Sequence, residues 1–219
     1  METAQPATMT SRWRTWAVRL VLFGAVVGAG AWVWKQYLED RLIPKRWGVV
    51  ESGKIYRSGQ LSAALVGEML ETHEIAVVVD LTAGQPGTPD QKEEAEQAEA
   101  LGIERVLLPL GGDGTGDIRN YATAIARVHQ AEQEGKPVLV HCAAGAQRTG
   151  GVIAAYRMLV QKKSPEFACR EMERYDWDSE DDRALPDYVN RHMAELAQLL
   201  VDRKVIDHVP DPLPVLECR

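Results

Sequence analysis

At 219 residues the chain has room for one ordinary domain with a substantial core, while two full domains would be cramped. With 45% hydrophobic and 26% charged residues it is globular rather than disordered, and a formal net charge of −7 argues against a broad nucleic-acid surface. The first 34 residues carry Arg12, Arg14 and Arg19 against Glu2, so the remainder is the more acidic part.

Residues 1–16 form a polar tail that turns basic, expected on the cytoplasmic side. Residues 17–34 are membrane-like: Leu20 to Trp34 carries no charge, and the run reaches back to Ala17 if Arg19 snorkels. Trp13, Trp16, Trp32 and Trp34 flank it as interfacial anchors do. The first reading is a single transmembrane helix. The competing one is a cleaved secretory signal, with Arg12, Arg14 and Arg19 as its basic region, Leu20 to Val27 as its hydrophobic region and Ala29-Gly30-Ala31 as a cleavage site. Gly24 and Gly28 make a GxxxG pair, a weak signal for homo-association of two anchors. Arginines before the segment favour export of the chain beyond it, although Lys35, Arg41, Lys45 and Arg46 blunt the bias, so a cytoplasm-facing domain is the alternative.

A connector over 35–50 leads into a catalytic domain expected over 51–200, with a tail over 201–219. Ile55-Tyr56-Arg57 reads as a short strand before Ser58-Gly59-Gln60, and Ser62 as the cap of a helix from Ala63 to Thr72. Ile75 to Leu81 is a continuous valine-rich run, as in a strand buried on both faces. A Gly/Pro loop over Thr82 to Pro89 precedes an acidic helix, Asp90 to Leu101, closed by Gly102. On that helix Lys92-Glu93-Glu94 and Glu96-Gln97 read as a solvated face. A strand from Arg105 to Leu110 runs into Gly111-Gly112-Asp113-Gly114-Thr115-Gly116-Asp117. Helix Ile118 to Glu134 then stops at Gly135-Lys136-Pro137.

Val138-Leu139-Val140 is the next buried strand, His141 to Arg148 a tight loop and Thr149 to Val160 a helix, with further helices over Pro165 to Tyr175 and Pro186 to Leu200. Trp177 reads as a core anchor and Glu180-Asp181-Asp182 as a loop cluster. Strands alternating with helices predict an α/β three-layer sandwich, its central sheet mostly parallel and its active groups at strand C-terminal ends. Three cysteines give neither a disulfide framework nor a metal-ligand cluster, and no metal or cofactor is expected. Cys169 reads as a structural residue on an amphipathic helix, and Cys218 as an exposed residue in a Pro-rich tail. An odd thiol count sits awkwardly with export.

His141-Cys142-Ala143-Ala144-Gly145-Ala146-Gln147-Arg148-Thr149 carries the chemistry. It joins a strand to a helix through residues small enough for successive N–H groups to converge at a helix N-terminus, which makes an anion nest. A cysteine at the base of a nest is expected as a thiolate, a nucleophile aimed at phosphorus. Arg148 offers a bidentate fork to two phosphoryl oxygens. The nucleotide-binding loop that ends in Lys-Ser/Thr is excluded because that lysine is missing.

His141-Cys142-x-x-Gly145-x-x-Arg148-Thr149-Gly150 resembles the signature of the protein tyrosine phosphatase superfamily, in its compact dual-specificity branch of bacterial type. Ile55-Tyr56-Arg57-Ser58-Gly59-Gln60, Leu108-Pro109-Leu110 and Lys136 to Val140 fit the same pattern in order, over about residues 47 to 175. The resemblance implies a phosphocysteine mechanism. Cys142 would attack, His141 would hold its pKa low, and Thr149 would help the thiolate leave. The amides of Ala143, Ala144, Gly145, Ala146, Gln147 and Arg148 would bind the phosphate. It implies an aspartate acid on a loop roughly thirty residues before the cysteine, met by Asp113, with Asp117, which also reads as a helix cap, as the alternative. The expected partner is a phosphorylated protein or small phosphomonoester, since the variable loop positions carry no lysine. Alternatives are an inositide or inositol phosphate phosphatase of the same mechanism, a non-catalytic phosphate-binding module, and sulfur transfer.

Overall fold

The computed structural model describes residues 10–34, 39–82 and 87–218. Most of the N-terminal tail, residues 35–38 of the connector and 83–86 of the Gly/Pro loop lie outside them. The chain divides into two units, residues 1–42 and 43–219. In the first, α1 (Thr10–Val33) is followed by the single turn α2 (Glu39–Leu42). Trp16–Val33 is long and apolar enough to cross a membrane, a property it shares with signal sequences.

The second unit is built on five strands, β1 (Gly48–Glu51), β2 (Ile55–Ser58), β3 (Val77–Asp80), β4 (Glu104–Leu107) and β5 (Val138–His141), in the order β1-β2-β5-β3-β4. Among these described strands β1–β2 pairs antiparallel and the other pairs are parallel. Alternation along the strands sorts the two faces. Val78 and Leu139 join Tyr56, Leu61, Val66 and Leu70 on one side, under α3 (Val66–Thr72) and α4 (Pro89–Leu101). Val77, Val79, Val138 and Val140 face the larger core of α5 (Ile118–Gln133), α6 (Gln147–Leu159), α7 (Pro165–Arg174) and α8 (Ala184–Asp202). This is the three-layer α/β sandwich that the sequence predicts.

Local chemistry sets most boundaries. Thr88 caps α4 by accepting from the Gln91 N–H with Pro89 at the first helical position, and Gly102 ends it at φ 67°. Asp117 caps α5, and Ser164 caps α7 ahead of Pro165. Ser62 is a correction. The helix starts at Val66 with no side-chain cap, and Ser62 offers its carbonyl, not its hydroxyl, to the Leu65 and Val66 N–H groups. The fourth strand also stops early: beyond Leu107 the chain peels off, with Leu108 and Leu110 N–H groups held by the Asp80 and Leu81 carbonyls.

Cys169 and Cys218 are joined in a disulfide, which overturns the reading of Cys218 as a free exposed residue. The segment after α8 folds back along the unit, with Leu216 only 1% exposed and tied through its backbone N–H and carbonyl to the Asn190 side chain. Sequence pattern missed this because 201–218 has no periodic apolar face; the clasp depends on a contact 49 residues apart. The pairing leaves Cys142 as the free thiol, so an exported position would still place the nucleophile in an oxidising compartment.

Candidate active site

Strands β2, β5 and β3 run in register and end together at Ser58, His141 and Asp80. The central strand β5 therefore delivers Cys142 to the C-terminal edge of the sheet, where residues 142–146 turn directly into α6. Ala146, at the N-cap, has no side-chain acceptor, which leaves the first N–H groups of α6 for the loop and for an anion.

Cys142 is 1% exposed, and the Gly145 N–H donates to its Sγ at 3.1 Å. Burial pushes the thiol up, but the Thr149 hydroxyl and N–H, the Gly145 N–H and the Arg148 guanidinium outweigh it, so the thiol lies below its ordinary value. Of these donors Gly145 has true hydrogen-bond geometry. The buried Thr149 hydroxyl has no partner of hydrogen-bond geometry among the described residues and acts on the sulfur as a dipole. Gly145, at φ 82°, allows no side chain: a Cβ would stand 2.5 Å from the Gly59 nitrogen and 2.7 Å from the Ser58 carbonyl carbon. Segment 58–59 is thus pressed against the loop. Arg148 Nη1 donates weakly to the Leu81 carbonyl at 3.4 Å, and this tether places the guanidinium at the end of β3.

His141 lies behind the sulfur in a buried ionic cluster. Its Nε2 stands 3.2 Å from Glu94 Oε2 and 3.9 Å from Asp80 Oδ1, an ion pair by distance without hydrogen-bond alignment. Arg105 closes the cluster, with Nε on Glu94 at 2.8 Å and Nη2 on Asp80 at 3.0 Å. Burial disfavours the imidazolium, but Glu94 and then Asp80 prevail and raise His141 to about 9; Glu94, against its own burial, is drawn down to about 2 by His141 and Arg105. Glu94 therefore does not belong to a solvated face; it is 1% exposed. Its sequence signal was faint, namely that it lies four residues before the buried Ala98. Asp80, Glu94 and His141 bring donor atoms within 4.8 Å of one another, a spacing suited to a metal. Both carboxylates are already paired with Arg105 and the imidazole is held protonated, so a divalent ion would have to displace both cations.

The two aspartates differ. Asp113 Oδ1 accepts from the Thr115 N–H at 3.0 Å and hydroxyl at 2.8 Å, and these bonds lower its pKa. Its loop packs beside the nest: Tyr121 and Tyr188 donate to the Gly114 and Gly116 carbonyls, and a Cβ on Gly114 would lie 3.5 Å from the Gln147 backbone. Asp117 is committed to the Arg119 N–H and guanidinium. Trp177 is buried in the core and distinct from the loop residues.

A family model described as the dual specificity phosphatase catalytic domain matches residues 56–196. The dual specificity protein phosphatase OPG106 of vaccinia virus (strain Western Reserve) is 43% identical over 63 residues, 28% of this chain and 37% of that protein. The dual specificity protein phosphatase TpbA of Pseudomonas aeruginosa (strain UCBPP-PA14) is 39% identical over 80 residues, 36% of each chain. The chain thus spans little more than a third of these curated relatives. A crystal structure of P. aeruginosa TpbA superposes with a TM-score of 0.55 at 25% identity, covering 75% of this chain and 99% of that one. The catalytic domain of the S. cerevisiae PP-IP phosphatase SIW14 gives 0.57 at 19% identity over 78% and 97%, a likeness of fold alone. With the family model covering well over half its length, this chain belongs to the dual specificity phosphatase catalytic-domain family.

Proposed function

We propose that the chain is a cysteine-dependent phosphomonoesterase. The carrying observation is the Gly145 N–H on Cys142 Sγ at the base of a nest that opens onto a helix N-terminus. Cys142, as thiolate, attacks phosphorus. The bond to the leaving oxygen breaks as that oxygen takes a proton, and water then hydrolyses the phosphocysteine while Thr149 supports the departing sulfur. Arg148 and the amides of residues 143–148 hold the phosphoryl oxygens. Asp113 is the acid. Its Thr115 bonds favour the carboxylate, so the 111–117 loop must release them for Asp113 to carry a proton. Asp117 serves as helix cap.

The substrate is a phosphorylated protein or an aryl phosphate. Ala143, Ala144, Ala146 and Gln147 bring no lysine for a polyphosphorylated inositol, and a Cys-to-Ser form of TpbA is known in complex with pTyr. The Cys169–Cys218 disulfide favours an exported position for the folded unit, behind the apolar N-terminal helix. Acid-quenching the full chain during turnover of 4-nitrophenyl phosphate tests the chemistry. A phosphorylated Cys142 peptide is expected, absent in Cys142→Ser; turnover by Cys142→Ser above a tenth of the parent rate would overturn it.

A further inference from the structure

The loop is held from outside as well as within. Its peptides are trans, so each carbonyl points away from the N–H of the next residue. Three successive carbonyls meet donors on the outer side. The Gln60 N–H reaches Ala143 O at 3.2 Å, Arg46 Nη1 reaches Ala144 O at 2.8 Å, and Arg57 Nη2 reaches Gly145 O at 2.7 Å. The N–H groups at the other ends of those planes belong to Ala144, Gly145 and Ala146. The middle plane displays the consequence: Arg46 takes its carbonyl, and its N–H donates to Cys142 Sγ.

Both arginines are themselves anchored by the end of α7. Arg46 sits at φ 45°, a left-handed conformation that a side chain adopts at a cost, and its Nε bonds Asp176 Oδ2 at 2.9 Å. Arg57 is fully buried 4.0 Å from the Tyr175 ring centroid, and its Nε and Nη1 have no hydrogen-bond partner among the described residues. Burying a guanidinium this incompletely paired is unfavourable, and its hydrogen bond goes to the loop.

We propose that Arg46 and Arg57 are positioning residues of the nest, acting through the backbone and not on the substrate. Arg46 turns the Gly145 N–H onto the sulfur, and Arg57 turns the Ala146 N–H onto the phosphoryl group. This rests on the phosphatase reading.

Because Cys142 is the free thiol, alkylation by iodoacetamide reports on it without turnover. In detergent-solubilised full chain, the pH dependence of alkylation gives the thiol pKa, and protection by inorganic phosphate gives anion affinity. Arg46→Met and Arg46→Lys are both expected to raise the thiol pKa by about one unit, with less effect on phosphate protection. Lysine keeps the charge but cannot bridge Asp176 and Ala144 with a planar fork. Arg57→Met is expected to weaken phosphate protection roughly tenfold with a smaller change at the thiol. A parent-like thiol in Arg46→Lys, or variants all within twofold of the parent in both measurements, overturns the proposal. So does Arg57→Met shifting both readouts equally, which would mark a loss of charge alone. Should Arg57→Met not fold, the Arg46 pair decides. A parent chain that phosphate fails to protect would overturn the phosphatase reading itself; a protected parent with unaltered variants overturns only the brace.

Discussion

Replacing Glu94 by glutamine removes the charge that keeps His141 protonated beneath the loop. Burial works against that proton, yet Glu94, 3.2 Å from Nε2, more than reverses it and sets the imidazole at about 9. Histidine in an unfolded chain titrates near 6.5. The folded state therefore binds the proton more tightly, and this contribution to stability is full below about 6.5 and lost as the pH rises through 9. It amounts to about 3 kcal/mol near pH 6 and about 1 kcal/mol near pH 8. Glu94 acts in the opposite sense: drawn down to about 2, its contribution is present above the ordinary carboxylate value and lost as the pH falls through 2. The two shifts describe one ion pair and are not summed. Glu94→Gln is expected to cost about 3–5 kcal/mol near pH 6, as breaking a buried pair does. It should flatten the decline in stability between about pH 6.5 and 9 and raise the Cys142 thiol, which loses a neighbouring cation. Urea unfolding of the full chain across that pH range, beside alkylation of Cys142, reads all three. A pH profile parallel to the parent's would refute the argument, because a merely structural loss moves the curve without changing its slope.

Gly145→Ala should reduce phosphate protection of Cys142 by roughly 5- to 150-fold, since strain of about 1–3 kcal/mol at a positive φ falls on the nest itself; protection equal to the parent's would refute the packing against Ser58 and Gly59. Cys218→Ser opens a loop 49 residues apart in sequence and is expected to destabilise by about 4 kcal/mol in the chain-entropy model, with reductant producing the same loss in the parent and none in the variant; thermal melts check both. Asp113→Asn should slow phenyl phosphate by about 10²–10⁴-fold and activated aryl phosphates less, whereas Asp117→Asn should show a small loss independent of the leaving group. A leaving-group dependence that steepens only in Asp117→Asn would exchange their roles.

Sequence alone reached four of the five described strands, the order of alternation and the loop from His141 to Thr149, because those signals are local: a valine run between turn residues, glycine where a Cβ has no room, small residues between a strand and a helix. It reached Asp117 as a cap for the same reason, the capped N–H lying two residues away. It missed β1, since Gly48–Glu51 begins inside the span read as connector and is defined by pairing with β2. What tertiary structure decided is held by contacts between distant segments. Glu94 looks solvated beside Lys92 and Glu93, and only the packing of α4 against the sheet turns it onto His141, 47 positions away by number, with Arg105 supplying the balancing charge. Arg46 reads as one of several basic residues near an apolar helix until the fold carries it to a carbonyl 98 residues on, and Cys169 and Cys218 have no shared pattern until α7 and the C-terminal segment meet. Side-chain identity and short-range spacing encode the nucleophile and its nest. Charge compensation in a buried site depends on which segments exclude water from it together, and that is a property of the folded chain.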